Sequence, residues 1–330
     1  MTLLAWIPSV WILLVLLVQG ACLGVAEAAP SRPDLSGYLN VPLKRTSHNQ
    51  LLVAVLVNGH QATFLVDTGA PHVGIEQARL AALGIEPLGG HGPQAPTVQS
   101  NGQAHRLAVI NSLQVGGITL AQVPGVLFDL AAVTTQGGSS GAKAIDGILG
   151  LDVLTALNAV VDCNQPALLI APISGAAPNL SQRLTKTGWP EVTLLRAGEH
   201  LIVGTRLGEF PASLVVDTGA GSSLLDNRFI ATNPRSLSSR TYTAVGIHFK
   251  TTSARSIRLN HLSIGGHEVN SSYALVCNFA DLIGSDPELR TADVRGLLGV
   301  QTLVAAEAFI DCQSDKLYVR KRRLKLTFGH

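Results

Sequence analysis

Short apolar runs separated by turn residues make up much of the chain after residue 50. Leu51–Val57 is apolar throughout, Asn58-Gly59 is a strong hairpin-turn dipeptide, and residues 62–66 return to a largely apolar pattern. Two such runs around a tight turn predict a β-hairpin. A second hairpin of the same form is predicted from His200–Leu207, a turn at Gly208 and residues 213–216.

The chain also repeats itself. Four blocks occur twice in the same order, 149 or 150 residues apart. The first block reads FLVDTGA and recurs as LVVDTGA, at residues 64–70 and 214–220. The other three are residues 113–117 with 262–266, 146–150 with 295–299, and 161–163 with 310–312. Four matched blocks in one order indicate two copies of one domain.

The repeat and the strand patterns together predict an all-β protein of two tandem lobes. We assign the first lobe to residues 48–171, an interlobe linker to residues 172–190, and a second lobe with a basic C-terminal strand to residues 191–330. Two copies of one domain usually pack about a pseudo-twofold axis. We therefore expect a cleft between the lobes, where equivalent residues of the two copies meet.

Composition indicates an ordered chain of low charge. Of 330 residues, 46% are hydrophobic and 14% charged, and 24 Lys and Arg against 22 Asp and Glu give a net charge of +2. This is too apolar for a disordered protein and too weakly basic for charge-driven binding of nucleic acid. The length allows two domains that each bury a core.

An apolar leader precedes the first lobe. The first 26 residues carry no charged side chain, and Ala26-Glu27-Ala28 has the small-x-small pattern of a secretory cleavage site. Residues 1–28 are therefore predicted to be a cleaved signal peptide or, because the apolar run could span a bilayer, an N-terminal anchor. A lipid anchor on Cys22 is a third alternative. Each makes the rest of the chain secreted or periplasmic, with residues 29–47 as a linker or short pro-segment.

Three cysteines follow the leader, at Cys163, Cys277 and Cys312. An odd number argues against a disulfide framework, and their spacing fits no zinc pattern. We predict buried thiols, with a single bridge between Cys163 and Cys312 as the alternative. No metal site is predicted, because the ten histidines are scattered and form no His-Glu-x-x-His motif.

Each copy places an Asp-Thr-Gly segment directly after an apolar strand, at Asp67 and at Asp217. Glycine permits a sharp turn there and threonine can hydrogen-bond across it, so each carboxyl is held by the backbone. A pseudo-twofold axis would bring the two carboxyls face to face. Two carboxyls that close cannot both ionise easily and would share one proton. One ionised and one protonated carboxyl can together activate a water molecule.

These motifs resemble those of aspartic proteases of the retropepsin and pepsin kind, in particular the bacterial retropepsin-like aspartyl proteases. The family's Asp-Thr-Gly-Ala/Ser motif is matched at residues 66–70 and 216–220, and its apolar-apolar-Gly motif at 148–150 and 297–299. The resemblance covers roughly residues 48–323 and implies two catalytic aspartates, two threonines that grip each other across the interface, and the loops that support them. The implied catalytic aspartates are Asp67 and Asp217, and the implied interface threonines are Thr68 and Thr218. The implied loop residues are Gly69, Ala70, Gly219 and Ala220.

The family covers its substrate with a flap, a hairpin between the two motifs. The resemblance places candidate flaps at residues 97–107 and 242–249, with Gly102 and Gly246 at the tips, although neither carries a clear equivalent of the flap tyrosine of pepsins. Alanine follows Asp-Thr-Gly in both copies, where pepsins often have a hydroxyl. Without that hydrogen bond to the ionised pair, its pKa should rise and activity should peak at milder acidity than that of pepsin.

The resemblance implies an aspartic endopeptidase that uses an activated water, no covalent intermediate and no cofactor. One chain would suffice, because the duplication supplies both aspartates, and the partner would be a peptide or protein substrate. The sequence leaves open which aspartate is the base, since the pair titrates as a unit. The alternative is a non-catalytic peptide-binding or scaffold protein with the same fold. The intact pairs of Asp and Thr favour the enzyme.

Three other features receive structural interpretations. Residues 137–141 match Gly-x-Ser-x-Gly but lie in a Gly/Ser-rich loop, whereas a serine-hydrolase elbow needs a strand before and a helix after it. His72 is interpreted as a loop residue, and Ser222 is its counterpart in the second copy. The basic run of residues 320–323 and Lys325 is interpreted as a solvated strand face, with contact to anionic lipid as the alternative if the N-terminus is anchored.

Overall fold

The structure is a computed structural model that describes residues 32–90, 95–100, 103–130, 145–172, 179–230, 237–246, 249–279 and 287–321. Pro33–His330 forms one compact unit. The predicted leader, the Gly-x-Ser-x-Gly segment and most of the basic C-terminal run lie outside the described residues. The interpretation of that run as a solvated strand face is wrong for Arg320, which follows the last described strand, stacks on Trp189 and pairs with Glu307. No helix in the described part is long and apolar enough to cross a bilayer.

An eight-stranded sheet forms the first lobe, in the order β2-β3-β4-β9-β5-β8-β7-β6. With strands numbered along the chain, these are β2 (Lys44–Arg45), β3 (Leu51–Val57), β4 (His60–Val66), β5 (Val73–Glu76), β6 (Thr97–Ser100), β7 (Gln103–Val115), β8 (Ile118–Phe128) and β9 (Gly147–Leu149). The predicted hairpin is β3–β4, and Asn58 and Gly59 both take the positive φ that its tight turn needs. An added pairing of β3 with β7 closes the sheet into a barrel.

The second lobe repeats this arrangement in a ten-stranded sheet. It comprises β13 (Leu195–Ala197), β14 (His200–Leu207), β15 (Phe210–Val216), β16 (Ser223–Asp226), β17 (Leu237–Gly246), β18 (Phe249–Leu259), β19 (Leu262–Ile264), β20 (His267–Glu268), β21 (Ser272–Cys277) and β22 (Val294–Leu298). The second predicted hairpin is β14–β15, with Gly208 at φ 61° in its turn. Pairing of β14 with β19 closes this barrel as β3–β7 closes the first.

A six-stranded interlobe sheet contains strands from both copies, in the order β1-β11-β10-β23-β24-β12. These are β1 (Leu39–Pro42), β10 (Ala159–Asp162), β11 (Ala167–Ile170), β12 (Glu191–Thr193), β23 (Phe309–Asp311) and β24 (Lys316–Tyr318). The copies join where β10 pairs with β23, and Val161 faces Ile310. The segment predicted as a linker or pro-segment, residues 29–47, thus contributes β1 to this sheet and β2 to the first barrel.

Two 3-10 helices, Gln77–Arg79 and Ala81–Leu83, and five short α-helices complete the described part. The α-helices are α1 (Leu151–Ala156), α2 (Leu180–Lys186), α3 (Asn227–Ile230), α4 (Pro287–Thr291) and α5 (Val300–Ala305). Helix α2 lies in the predicted interlobe linker; Asn179 caps it by accepting a hydrogen bond from Gln182 N at 2.9 Å. Its buried Leu180 and Leu184 pack in one apolar cluster with Trp189 on the interlobe sheet. The linker therefore helps to cover that sheet.

The largest apolar cluster runs through both barrels and the interlobe sheet between them. Val161 and Ile310, at the centre of that sheet, are fully buried within it. Burial of such side chains stabilises the fold by about 1.5–3 kcal/mol each. The lobes thus share a core, and the predicted all-β class with two tandem lobes is confirmed.

All three described cysteines are buried and none is in a disulfide, which confirms the prediction of buried thiols. Cys163 N donates to Ala308 O, and Cys312 N donates to Ala159 O. This register sets the two cysteines four positions apart along their strands, about 13 Å. A disulfide needs Cα atoms within about 7 Å, so the alternative of a bridge between them is wrong.

Candidate active site

Both Asp-Thr-Gly loops begin where a barrel strand ends. Strand β4 pairs in parallel with β9, and Asp67 N donates to Leu149 O at 3.1 Å. Strand β15 pairs in parallel with β22, and Asp217 N donates to Leu298 O at 3.1 Å. The apolar-apolar-Gly motif of each copy therefore lies beside the aspartate of the same copy and fixes where its loop starts.

The two threonines connect the loops across the lobe interface. Thr68 Oγ1 donates to Val216 O at 2.8 Å and accepts from Thr218 N at 3.1 Å. Thr218 Oγ1 donates to Val66 O at 2.8 Å and accepts from Thr68 N at 3.0 Å. Both side chains are fully buried, so these four hydrogen bonds form without competition from water. The reciprocal grip that the resemblance implied is present in the structure.

The same grip brings the two aspartates together. Their carboxyls hydrogen-bond to each other, and each residue is only 8% exposed. Each threonine is followed by a glycine because the carboxyl of the aspartate in the other copy occupies the space that a side chain would need. A Cβ on Gly69 would lie 2.6 Å from Asp217 Cγ, and one on Gly219 would lie 2.1 Å from Asp67 Oδ2.

Backbone N–H groups hold each carboxyl in its loop. Asp67 Oδ1 accepts from Gly69 N at 2.9 Å and from Ala70 N at 3.0 Å. Asp217 Oδ1 accepts from Ala220 N at 3.0 Å. Burial raises the pKa of Asp67, although its backbone donors oppose the rise. Burial also raises the pKa of Asp217, to well above its usual range, and the nearby charge of Asp67 adds to the rise.

The glycine of the second motif lets each aspartate loop pack closely against the start of a helix. A Cβ on Gly150 would lie 2.4 Å from His72 O, and one on Gly299 would lie 2.6 Å from Ser222 O. The next residue of each copy then bonds back to the loop, Leu151 N to Ala70 O and Val300 N to Ala220 O, both at 2.8 Å. Six predicted loop residues, with these two glycines, thus form one interlocked unit around the pair of carboxyls.

Both candidate flaps are hairpins. In the first, Ser100 pairs with Gln103 across a tip whose residues, Gly102 among them, lie outside the described part. In the second, Gly246 ends β17 and pairs with Phe249 across another such tip. Gly246 is therefore next to a hairpin tip, and its role as a flap residue stays a prediction.

Sequence reasoning missed an ionic cluster beside the first loop. His72 Nε2 lies 3.3 Å from Glu199 Oε2 in the turn before β14, and its Nδ1 lies 3.7 Å from Asp152 Oδ2 in α1. A hydrogen bond to Asp152 raises the pKa of His72, and the charge of Glu199 adds to the rise. The partners are 80 and 127 residues away in sequence, so spacing gave no signal. Among the described residues, no group of His, Cys, Asp and Glu could hold a metal ion.

Both copies of the domain match a known protein family. The sequence model of the aspartyl protease family matches residues 53–153 and again residues 203–302, once on each copy. The crystal structure of a retropepsin-like aspartic protease from Rickettsia conorii is similar at 16% sequence identity, covering 41% of this chain and 90% of that one, with a TM-score of 0.29. No curated protein matches the chain. Because the two family matches together span more than half of the sequence, the chain belongs to the aspartyl protease family, with one match on each copy of the domain.

Proposed function

We propose that the chain is an aspartic endopeptidase that hydrolyses peptide bonds with a water held between Asp67 and Asp217. The observation that carries the proposal is the hydrogen-bonded pair of buried carboxyls, one from each copy. Each is fixed by backbone donors and by the threonine grip, so little reorganisation is needed when charge develops in the transition state. The duplication supplies both groups, and we propose that a single chain is active.

We assign the shared proton of the resting pair to Asp217. Asp67 accepts hydrogen bonds from the backbone N–H groups of Gly69, Ala70 and Gly219, whereas Asp217 accepts from those of Ala220 and Gly219. An additional backbone donor favours the ionised form of a carboxyl, so the negative charge is more stable on Asp67. Asp67 would then act as the base and Asp217 as the acid.

The reaction follows from this proton distribution. Asp67 takes one proton from the water while the water oxygen attacks the peptide carbonyl carbon, and Asp217 gives its proton to the carbonyl oxygen. The product is a neutral gem-diol. Its collapse breaks the C–N bond: the proton on Asp67 moves to the leaving nitrogen, and a diol proton returns to Asp217. Only water and the two carboxyls take part, so the mechanism requires no cofactor or metal.

The proposed partner is a peptide or protein substrate bound in extended form between the lobes. The hairpins β6–β7 and β17–β18 would serve as flaps, with Gly102 and Gly246 near their tips, and would pair with the substrate backbone. We further propose that the enzyme acts outside the cytoplasm, secreted or in the periplasm, and is anchored to the membrane if residues 1–28 are retained. This rests on the leader sequence.

The proposed pH dependence follows from the loop chemistry. Ala70 and Ala220 each donate a backbone N–H to the aspartate of their own loop but offer no hydroxyl. With fewer donors to the ionised pair, its pKa should lie above that of a site with a hydroxyl here. We expect activity to peak at milder acidity than that of pepsin, and a peak in the pepsin range would contradict this.

The test is cleavage of a diverse peptide mixture by the recombinant chain from Ala29, read by mass spectrometry from mildly acidic to neutral pH. Asp67→Asn should lower cleavage by on the order of 10³-fold or more, because the base is lost. Asp315→Asn, which changes a surface ion pair with Arg196, is the matched control and should cleave normally. Equal cleavage by wild type and Asp67→Asn would reject the assignment and indicate a contaminant. No cleavage by either at any pH would favour the non-catalytic peptide-binding alternative.

A further inference from the structure

The apolar-apolar-Gly motif of the second copy forms a hydrogen bond that its counterpart in the first copy cannot form. Gly299 N donates to Ser223 Oγ at 3.0 Å, and both residues are buried. The repeat places Val73 at the position of Ser223 and Gly150 at that of Gly299. A valine side chain has no oxygen that can accept from Gly150 N. This hydrogen bond therefore supports one aspartate loop and has no equivalent behind the other.

Ser223 belongs to a chain of hydroxyls that fixes the position of its oxygen. Its Oγ lies 2.7 Å from Thr302 Oγ1 in α5, and that oxygen lies 3.0 Å from Ser272 Oγ on β21. The three residues are at most 4% exposed, so these hydrogen bonds form away from solvent. In a dry interior the hydrogen bonds of such a chain polarise and strengthen one another. Ser223 Oγ is therefore a firmly placed acceptor.

Gly299 connects Ser223 to the start of the second aspartate loop. Its N–H belongs to the same peptide group as Leu298 O, and that oxygen accepts from Asp217 N at 3.1 Å. Hydrogen bonds at the two ends of one peptide group reinforce each other, so the bond to Ser223 also strengthens the bond to Asp217 N. A movement of Gly299 would shift the residue at which the loop begins.

The peptide group on the other side of Gly299 leads to the carboxyl itself. The N–H of that group is Val300 N, which donates to Ala220 O at 2.8 Å. Ala220 N in turn donates to Asp217 Oδ1 at 3.0 Å. A short series of hydrogen bonds thus runs from Ser223 through Gly299 to the carboxylate of Asp217.

Asp217 depends on this support more than Asp67 depends on the support of its own loop. Asp217 accepts hydrogen bonds from two backbone N–H groups, whereas Asp67 accepts from three. With one donor fewer, the orientation of the Asp217 carboxyl is set to a greater extent by Ala220 N and by the contacts that fix Ala220. The additional hydrogen bond at Gly299 lies behind the loop whose carboxyl has fewer donors.

We propose that Ser223 is a positioning residue for Asp217, because it fixes Gly299 and thereby keeps the Asp217 carboxyl where it can give its proton to the peptide carbonyl. This inference rests on the proposed function, since the proton transfer does. Ser223 acts through the backbone and exchanges no proton with the substrate. It lies outside both Asp-Thr-Gly-Ala segments and adds a position to the machinery of the second copy alone.

Ser223→Val and Ser223→Thr form a matched pair that tests the proposal. Their side chains have nearly the same shape, and both add a methyl group to a buried site, so the comparison isolates the hydroxyl. On a peptide that the wild type cleaves, kcat of Ser223→Val should be about tenfold or more below that of Ser223→Thr. KM should agree within about twofold, because a misplaced proton donor weakens the transition state and not the binding of substrate.

The titration of the two aspartates is a readout that a purely structural role would not move. A weaker hydrogen bond from Ala220 N disfavours ionised Asp217, so the pKa at which the pair loses its second proton should be higher in Ser223→Val than in Ser223→Thr. NMR of carboxyl-labelled aspartate measures this pKa, and the alkaline limb of the pH–rate profile should move with it. The proposal requires both differences, in kcat and in titration. Absence of either would overturn it, whatever the melting temperatures of the variants.

The same experiment separates this inference from the proposed function. If the wild type cleaves no peptide, the proposed function fails, and the titration alone decides whether Ser223 positions Asp217. If Ser223→Val does not fold, Ser223→Ala takes its place, because it removes the hydroxyl without adding a methyl group. Ser223→Ala is then compared with the wild type, and it should show the same higher pKa and lower kcat.

Discussion

Beside the second motif, the two copies of the domain fill the same space with different chemistry. In the second copy, Ser223 Oγ and Ser272 Oγ bond to Thr302 Oγ1 at 2.7 and 3.0 Å, and Gly299 N donates to Ser223 Oγ at 3.0 Å. The corresponding residues of the first copy are all apolar: Val73, Val123 and Val153. All six are buried.

In the hydrogen bonds between the two threonines, by contrast, the copies agree almost atom for atom. The four threonine hydrogen bonds form two equivalent pairs, and the lengths within each pair differ by no more than 0.1 Å. A buried space can be filled by packed methyl groups or by a closed set of hydroxyls, because each leaves no polar group without a partner. The loops have no such freedom, since each must complete the hydrogen bonds of the other. The residues at the lobe interface are therefore more alike in the two copies than the residues of the core beside the second motif.

The largest effect is expected from breaking the threonine grip. Thr68→Val removes the hydroxyl and leaves two buried backbone groups, Val216 O and Thr218 N, without a partner. We expect a loss of roughly 2–5 kcal/mol in the free energy of unfolding, measured by urea denaturation. Thr218→Val should cost the same within about 1 kcal/mol. Thr119→Val, at an exposed strand position, is the control and should change stability by less than about 0.5 kcal/mol. Clearly unequal losses for the two variants would contradict the equivalence of Thr68 and Thr218.

The glycines of the loops give the next effect. Gly219→Ala forces Asp67 to move, since the new Cβ would lie 2.1 Å from its Oδ2. A displacement of about 1 Å in a catalytic group lowers the rate about 100-fold, so kcat/KM should fall by at least that factor. Gly69→Ala, with a closest approach of 2.6 Å, should lower it less. Gly204→Ala adds a Cβ with no atom within 4 Å and should leave activity unchanged. The reverse order of the two loop variants would contradict the geometry.

The hydroxyl cluster predicts an effect of intermediate size. Thr302→Val leaves the hydroxyls of Ser223 and Ser272 without their shared partner and should cost about 1–3 kcal/mol in the free energy of unfolding. The opposite exchange, Val153→Thr, buries a hydroxyl among valines and should cost a similar amount. Urea denaturation of both variants is the measurement. A neutral effect of either substitution would mean that single residues can be exchanged between the hydroxyl cluster and the valine cluster. That result would contradict the argument that each cluster is stable only as a complete set.

The smallest effect is expected at His72, whose counterpart is the uncharged Ser222. Because its pKa is raised in the folded protein, protonated His72 stabilises the fold below its unfolded pKa of about 6.5, and this contribution is lost as pH rises through the folded pKa. The residue is half exposed, so we expect only a few tenths of a kcal/mol. His72→Ser should remove this part of the pH dependence, and Ser222→Ala should not. Parallel stability curves for wild type and His72→Ser would contradict the role of the ion pairs.

Much of this architecture could be predicted from sequence, because its signals are local or repeated. Asn58-Gly59 gave the first hairpin, and two Asp-Thr-Gly segments at a fixed interval gave the loops. The interlobe sheet could not be predicted, because Leu39–Pro42 shows no strand pattern and is an edge strand only through its pairing with β11. The contacts of His72 also depend on tertiary neighbours distant in sequence.

The pairing of β10 with β23 also has a consequence during synthesis. Val161 pairs with Ile310, and the 149 residues from Asp162 to Ile310 take about 7–30 s to translate at 5–20 residues per second. Throughout that interval the edge of β10 that β23 will cover has no partner. An open strand edge is a template for pairing with another chain, including a second nascent copy. Crowded ribosomes or a slow stretch of translation in the second copy would therefore favour misassembly between chains over correct closure within one.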